Sequence, residues 1–190
     1  LRDSLGIDLA LMGSGAIRNY ELGPVVHYQD LVECLPYDEA MYMVQVNGAQ
    51  LERMLRYILR EEAFEGEHTE FYQFSHGLHI VWSRSRQEFE ALMLEGKALN
   101  EQKLYSIALS KYHYMNMQDF LTLSLDEVKA NALPRVLATS CRDIVEEYMM
   151  VNPHLSREVE GRLVIKAEKK QLISQEENHC CAEKMYSSGF

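Results

Sequence analysis

The chain has 190 residues, enough for one domain with a substantial core. Its composition, 47% hydrophobic and 25% charged, is that of an ordinary globular protein. The net charge of −10 excludes a groove for polymeric nucleic acid, which needs clustered Lys and Arg against the phosphates, but not a site for one nucleotide. The sequence opens at Leu1, with no cationic leader and no apolar stretch long enough to span a membrane. A fragment of a larger protein is therefore expected, and the sequence names no compartment.

In chain order, Ile7 to Met12 is a continuous apolar run that predicts a buried strand. It enters a small-residue turn, Gly13-Ser14-Gly15-Ala16, followed by Ile17 and Arg18. Tyr28 to Leu35 predicts a short helix stopped by Pro36, and Met41 to Val46 a second strand. Asn47 is placed to cap a helix whose apolar stripe is Leu51, Met54, Leu55, Ile58 and Leu59, ending near Ala63. Glu61 to Glu70 reads as an acidic exposed loop. Strands are expected at Phe71 to Phe74, Leu78 to Trp82, Phe89 to Leu94 and Leu104 to Ser110, with a tight turn at Glu95-Gly96-Lys97. An aromatic segment, Tyr112 to Phe120, follows. A helix over Ala138 to Met150 carries Cys141, Ile144, Val145 and Tyr148, and Val159 to Ile165 makes a last strand. The segment 167–190 is polar and reads as a mobile tail beyond a 1–166 domain. Mixed strands and helices without strict alternation predict an α+β fold, layered, with mixed sheets and flanking helices.

Chemistry-bearing signals are sparse. Arg18, after a turn of low bulk, can offer two-pronged donors to phosphate or ribose oxygens, and the turn can present backbone N–H groups. The seven histidines form no metal-binding spacing. His76 and His79 read as opposite faces of one strand. No nucleophile elbow and no phosphate-cradling loop appears. Cys34 reads as a buried thiol, and Cys180 and Cys181 as exposed or intermolecular thiols.

The stretch from Gly13-Ser14-Gly15-Ala16-Ile17-Arg18 through Leu35-Pro36-Tyr37 to the helix at Leu51 resembles the C-terminal domain of the 5'-nucleotidase family. Phe71 to Leu78, the Gly96 to Ala108 hairpin and Val159-Glu160-Gly161-Arg162-Leu163 are similar to later family segments, in order. The resemblance implies a substrate-recognition domain for a nucleotide or related phosphate ester. A separate N-terminal metallophosphoesterase domain, absent from this chain, would hold two divalent metal ions; many such parents are exported or lie at the cell surface. It also implies residue roles: Arg18 with Gly13, Ser14 and Gly15 on ribose or phosphate, and Tyr37 and Tyr112 on either face of a base. Asp119 would meet the sugar hydroxyls, or Gln118 would stand in its place. Two departures stand out. Gly13 replaces the family's Asn, and Asn116-Met117-Gln118-Asp119-Phe120 replaces a glycine-rich loop. They keep open an alternative, a non-catalytic ligand-binding or interaction module that retains the fold.

Overall fold

A computed structural model describes residues 1–65, 70–156 and 158–167. The segment 168–190, with Cys180 and Cys181, lies outside the described residues. Two mixed sheets organise the domain. The larger has five strands in the order β3 (Tyr72–Phe74), β1 (Leu9–Gly13), β7 (Leu104–Ser110), β2 (Met41–Asn47) and β8 (Arg135–Ala138). β1 and β7 run parallel and the other neighbours antiparallel. The smaller sheet is β6 (Lys97–Ala98), β5 (Glu88–Leu94), β4 (Leu78–Ser83) and β9 (Leu163–Lys166), with β4 and β9 parallel. The fold is the α+β class expected.

The run Leu9-Ala10-Leu11 is apolar throughout because both faces of the larger sheet are covered. Leu9 and Leu11 point into a core shared with Val44, Val46, Ile107 and Leu109 and with Leu78, Ile80 and Trp82 of the smaller sheet. Ala10, Met41, Met43 and Ala108 point the other way, onto Cys141 and Ile144 of α8 (Cys141–Val151). This is the two-residue period of a strand resolved into two cores.

Helix α3 (Gly48–Ile58) is set by its cap. The Asn47 side chain accepts from the Gln50 N–H, and the Gln50 side chain accepts from the Asn47 N–H. Its stripe, Leu51, Met54, Leu55 and Ile58 with Leu59 beyond, is buried in the shared core. The helix ends at Ile58 rather than near Ala63, and the expected acidic loop begins with a further helical turn, α4 (Glu62–Glu65). Phe64 gives the reason: it packs on the core, 6.1 Å from the Phe71 ring, and pulls its segment inward.

Other differences have local causes. An unanticipated helix α1 (Arg2–Leu5) precedes β1 and is closed by Gly6 in the left-handed region. α2 (Tyr28–Cys34) is where the sequence put a helix. The aromatic segment forms two short helices, α5 (Lys111–Met115) and α6 (Met117–Leu121), and α7 (Leu125–Asn131) leads into β8. The following helix starts at Cys141, because Ala138 closes β8 and Ser140 caps α8. The final strand begins at Leu163, after Gly161 turns the chain at φ 65°. His76 sits in the turn after β3, not in a strand with His79, and its Nε2 lies 3.3 Å from Asp3 Oδ1.

Candidate functional site

The parallel strands β1 and β7 end side by side, and β2 begins at the same edge of the sheet. Lys111 N–H donates to the Ala40 carbonyl there. Three loops meet above this edge. After β1, the chain makes a single 3-10 turn, Ser14–Ala16, held by Ser14 N–H donating to Phe71 O. Arg18 N–H then donates to Cys34 O at the end of α2.

The second loop carries Tyr37. Arg142 of α8 donates to the carbonyls of Leu35 at 2.9 Å and Pro36 at 3.3 Å, while the Asp38 carboxylate accepts from Ser140 Oγ at 2.8 Å. Tyr37, 58% exposed, is therefore an open ring on a pinned backbone. The third loop is α5, capped by Ser110, whose oxygen accepts from the His113 N–H. It carries Tyr112, 50% exposed, and His113, 4% exposed. Glu39 ties the last two loops together: its carboxylate accepts from Tyr112 N–H at 3.1 Å and its carbonyl from Cys141 N–H at 3.0 Å.

Between these loops lies a cavity of about 270 Å³, walled by Gly13, Gly15, Arg18, Tyr37 and Tyr112 together with Glu39, Glu70, His113, Leu35 and Cys141. It is near the lower bound of small-molecule sites, roughly 300–1,000 Å³. Arg18 Nη2 donates to Tyr37 Oη at 3.0 Å, and its guanidinium carbon is 5.4 Å from that ring's centroid. Among the described residues the Arg18 side chain makes no further hydrogen bond. The Tyr112 ring stands edge-on to His113, centroids 5.3 Å apart, and against Phe120.

Three residues singled out in the sequence, Ser14, Gln118 and Asp119, are not among the wall residues. Ser14 turns aside, its hydroxyl accepting from Gln73 Nε2 at 3.3 Å. Asp119 is exposed on α6 and is not among the wall residues, because the helix turns Met117 and Leu121 inward instead. Conversely, Glu39, Glu70 and His113 line the cavity unannounced. Glu70 closed what read as a solvated acidic loop, and His113 was one of seven histidines without a motif. A readable signal was Ser110, three residues before His113 at a strand end, which is N-cap spacing.

Burial pushes the His113 imidazole below its usual range, partly opposed by the Glu70 and Glu39 carboxylates. Burial raises the Cys141 thiol to about 11, which leaves it protonated and unreactive. Among the described residues, no group of three or more His, Cys, Asp or Glu is arranged to hold a metal ion, and no helix is long and apolar enough to cross a membrane.

The fold and cavity define a class: an α+β domain with an aromatic-walled, arginine-bearing cleft where two parallel strands end. The family profile described as "5'-nucleotidase, C-terminal domain" matches residues 1–124, and the chain belongs to that family. A comparison with curated protein sequences finds no match. Among solved structures, the 5'-nucleotidase precursor of Thermus thermophilus is similar, with TM-score 0.71 and 17% identity over 88% of this chain and 33% of that one. The NAD nucleotidase of Haemophilus influenzae matches with TM-score 0.71 and 13% identity, over 88% and 32%. The sulfate thiohydrolase SoxB of Thermus thermophilus matches with TM-score 0.62 and 15% identity, over 90% and 32%. The chain spans about a third of the length of these solved proteins.

Proposed function

We propose that this chain is the substrate-recognition domain of a 5'-nucleotidase-like phosphoester hydrolase, and that its cleft holds a nucleoside or nucleotide. The observation that carries this reading is the convergence of two half-exposed tyrosine rings and one arginine on a single ring-sized cavity. Stacking on an aromatic ring contributes about 1–3 kcal/mol per base and tolerates Tyr as well as Phe. Arg18 would orient ribose or phosphate oxygens, and the backbone at Gly15, where a Cβ would meet nothing nearer than the Glu70 oxygens at 3.9 Å, lets a ligand approach closely.

The described residues offer no metal set, so hydrolysis would be the work of a separate metallophosphoesterase domain holding two divalent metal ions. This domain's share is positioning, the delivery of the ester to those metals. One observation favours a second reading, a ligand-binding or interaction module outside catalysis. Asp119, the residue expected to meet sugar hydroxyls, sits outside the cleft wall.

The test is a titration of the purified chain with adenosine, AMP and inorganic phosphate, followed by NMR. The reading expects shifts centred on Arg18, Tyr37 and Tyr112. Tyr37→Ala should weaken nucleoside affinity by the stacking increment, about 1–3 kcal/mol, and Arg18→Ala should weaken AMP more than adenosine. No shifts at millimolar adenosine or AMP would refute a nucleotide pocket in this chain and favour the interaction module.

A further inference from the structure

A second concavity, sharing no wall residue with the cleft, runs between the loop before α2, α2 itself and the end of α8. Its volume is about 500 Å³, and its apolar wall is Leu22, Val26, Leu31, Met149, Met150 and Leu155. The register of α8 leaves it open. The helix turns Cys141 and Ile144 onto the larger sheet, so Met149 and Met150 fall off that face. Met150 is 71% exposed and the wall residue Tyr28 is 54% exposed. Apolar side chains gathered in one exposed groove mark a docking surface, and methionine adapts to the shape of what it meets.

The charge around this groove has one sign. Lys and Arg make up 19 of the 190 residues, yet neither occurs in 19–34 or in 143–156, the two segments that form the groove. Those segments carry Glu21, Asp30, Glu33, Asp143, Glu146 and Glu147. Among the described residues, none of the six is in an ion pair with Lys or Arg. Asp30 accepts from the His27 N–H and Glu33 from Gln29 Nε2, local bonds that leave the charge uncompensated. The flanking arginines are engaged elsewhere: Arg18 donates to Tyr37 Oη, and Arg142 to the Leu35 and Pro36 carbonyls. Arg157 lies outside the described residues.

These features select the occupant. No wall residue belongs to a strand, so the groove offers no sheet edge to an extended peptide, whereas a helix satisfies its own backbone. A second copy docked isologously would set the same six acids against one another. An anionic membrane surface would be repelled in the same way.

We propose that this groove docks a basic amphipathic helix of a partner protein. Apolar side chains of that helix at i, i+3, i+4 and i+7 would seat on Leu31, Met149 and Met150, with its flanking Lys or Arg against Glu33, Glu146 and Glu147. The complementarity of charge sets the choice of partner, and the methionines supply the apolar contact. This surface goes beyond the nucleotide reading and does not depend on what the cleft holds.

The probe is a fluorescein-labelled peptide of leucine and lysine, about 18 residues or five turns long, with its leucines on one helical face. One control replaces every lysine with glutamate. The other keeps the composition and scatters the leucines around the helix. Each is titrated into the full chain near neutral pH and about 150 mM salt, where loose surface attraction is screened. Anisotropy gives the affinity, and the methionine methyl signals in NMR give the place.

The one-faced lysine peptide is expected to bind about tenfold or more tightly than either control, with shifts at Met149 and Met150. Glu146→Lys combined with Glu147→Lys should weaken it about tenfold or more, and Met150→Gln about fivefold or more. Met150 and Glu147 are exposed and Glu146 partly so, and thermal melts verify that the variants fold. Equal affinity for the scattered peptide would mean a diffuse acidic surface and overturns the groove. Binding without shifts at Met149 and Met150, binding indifferent to the variants, or no binding at millimolar peptide overturns it as well. Two further results would assign the groove to another occupant and so overturn an external partner. One is a dimer in sedimentation that Met150→Gln abolishes. The other is a shift of the Met149 and Met150 methyls when Lys169→Glu and Lys170→Glu are introduced into the free chain, which would place the segment 168–190 there.

Discussion

Two glycines of the turn after β1 should respond oppositely to the same substitution. Gly13 has an ordinary backbone, φ −58° and ψ 133°, so alanine fits its conformation and should gain about 0.4–1 kcal/mol from a less flexible unfolded chain. The space around it does not fit. The new Cβ would meet Glu70 Oε1 at 2.2 Å and the His113 ring at 2.6 and 2.9 Å. The Glu70 carboxylate can swing toward solvent. The imidazole cannot, being fixed by Ser110 and packed against Tyr72 and Phe120 with centroids 5.0 and 6.0 Å away. Overpacking of this kind costs about 1–3 kcal/mol. The net for Gly13→Ala is a loss of about 1–2 kcal/mol, or roughly 2–8 °C in melting temperature at this chain length. At Gly15 the nearest atoms to a Cβ are the Glu70 oxygens at 3.9 Å, ordinary contact, so Gly15→Ala keeps the entropic gain and melts at or above the native temperature. Paired thermal melts by circular dichroism decide the matter. A Gly13→Ala variant that melts with Gly15→Ala would refute the assignment of His113 and Glu70 to the space beside Gly13.

Asn47→Ala removes the side chain that accepts from Gln50 N–H, and should cost about 0.5–2 kcal/mol in a urea titration with an unchanged m-value. An unchanged midpoint would show that core packing alone sets the start of α3. Stability should also depend on pH through His113. Its folded pKa lies below the ordinary 6.5, so the unfolded chain binds more protons in that range. The contribution of the neutral ring is whole above about pH 6.5 and is withdrawn as pH falls below it, at up to about 1.4 kcal/mol per pH unit. Glu70 and Glu39, the carboxylates facing the ring, narrow that window by favouring its charged form. The difference in slope between the native chain and His113→Asn measures it, and parallel slopes would contradict a neutral buried ring.

The scaffold was largely legible because its signals are periodic. The strand at β1, the full span Leu104–Ser110, the cap at Asn47 and the stripe of α3 each follow from burial patterns within a few residues. The α7–β8 region was not legible. Leu125, Leu133 and Val136 are exposed, and a half-exposed edge strand leaves little alternation to read. At the site, composition and spacing proposed Arg18, while the placing of Tyr37 and Tyr112 came from resemblance. Glu70 has no local signature, and the cap spacing from Ser110 to His113 marks a helix start without marking a site. Glu70 and His113 meet only after β3 is paired to β1 and α5 is seated on Ser110, a juxtaposition of the tertiary structure. Asp119 came from the resemblance alone, and the register of α6, which buries Met117 and Leu121, leaves it exposed.

The parallel pairing of β1 with β7 has a temporal consequence. Asp8 and Ser106, which exchange hydrogen bonds at the start of that pairing, are separated by 98 residues of chain. During synthesis the first strand must therefore wait, apolar and unpaired on one side, until the residues up to β7 have been made. Such long-range closure is slow, and it leaves an exposed edge in the interval. Because β7 is flanked by β1 and β2, its arrival completes the middle of the sheet, and it carries the tyrosine–histidine loop with it. Folding of the scaffold and assembly of the cleft are thus one late event. A chain interrupted before Ser110 would lose the centre of its larger sheet and the cleft together.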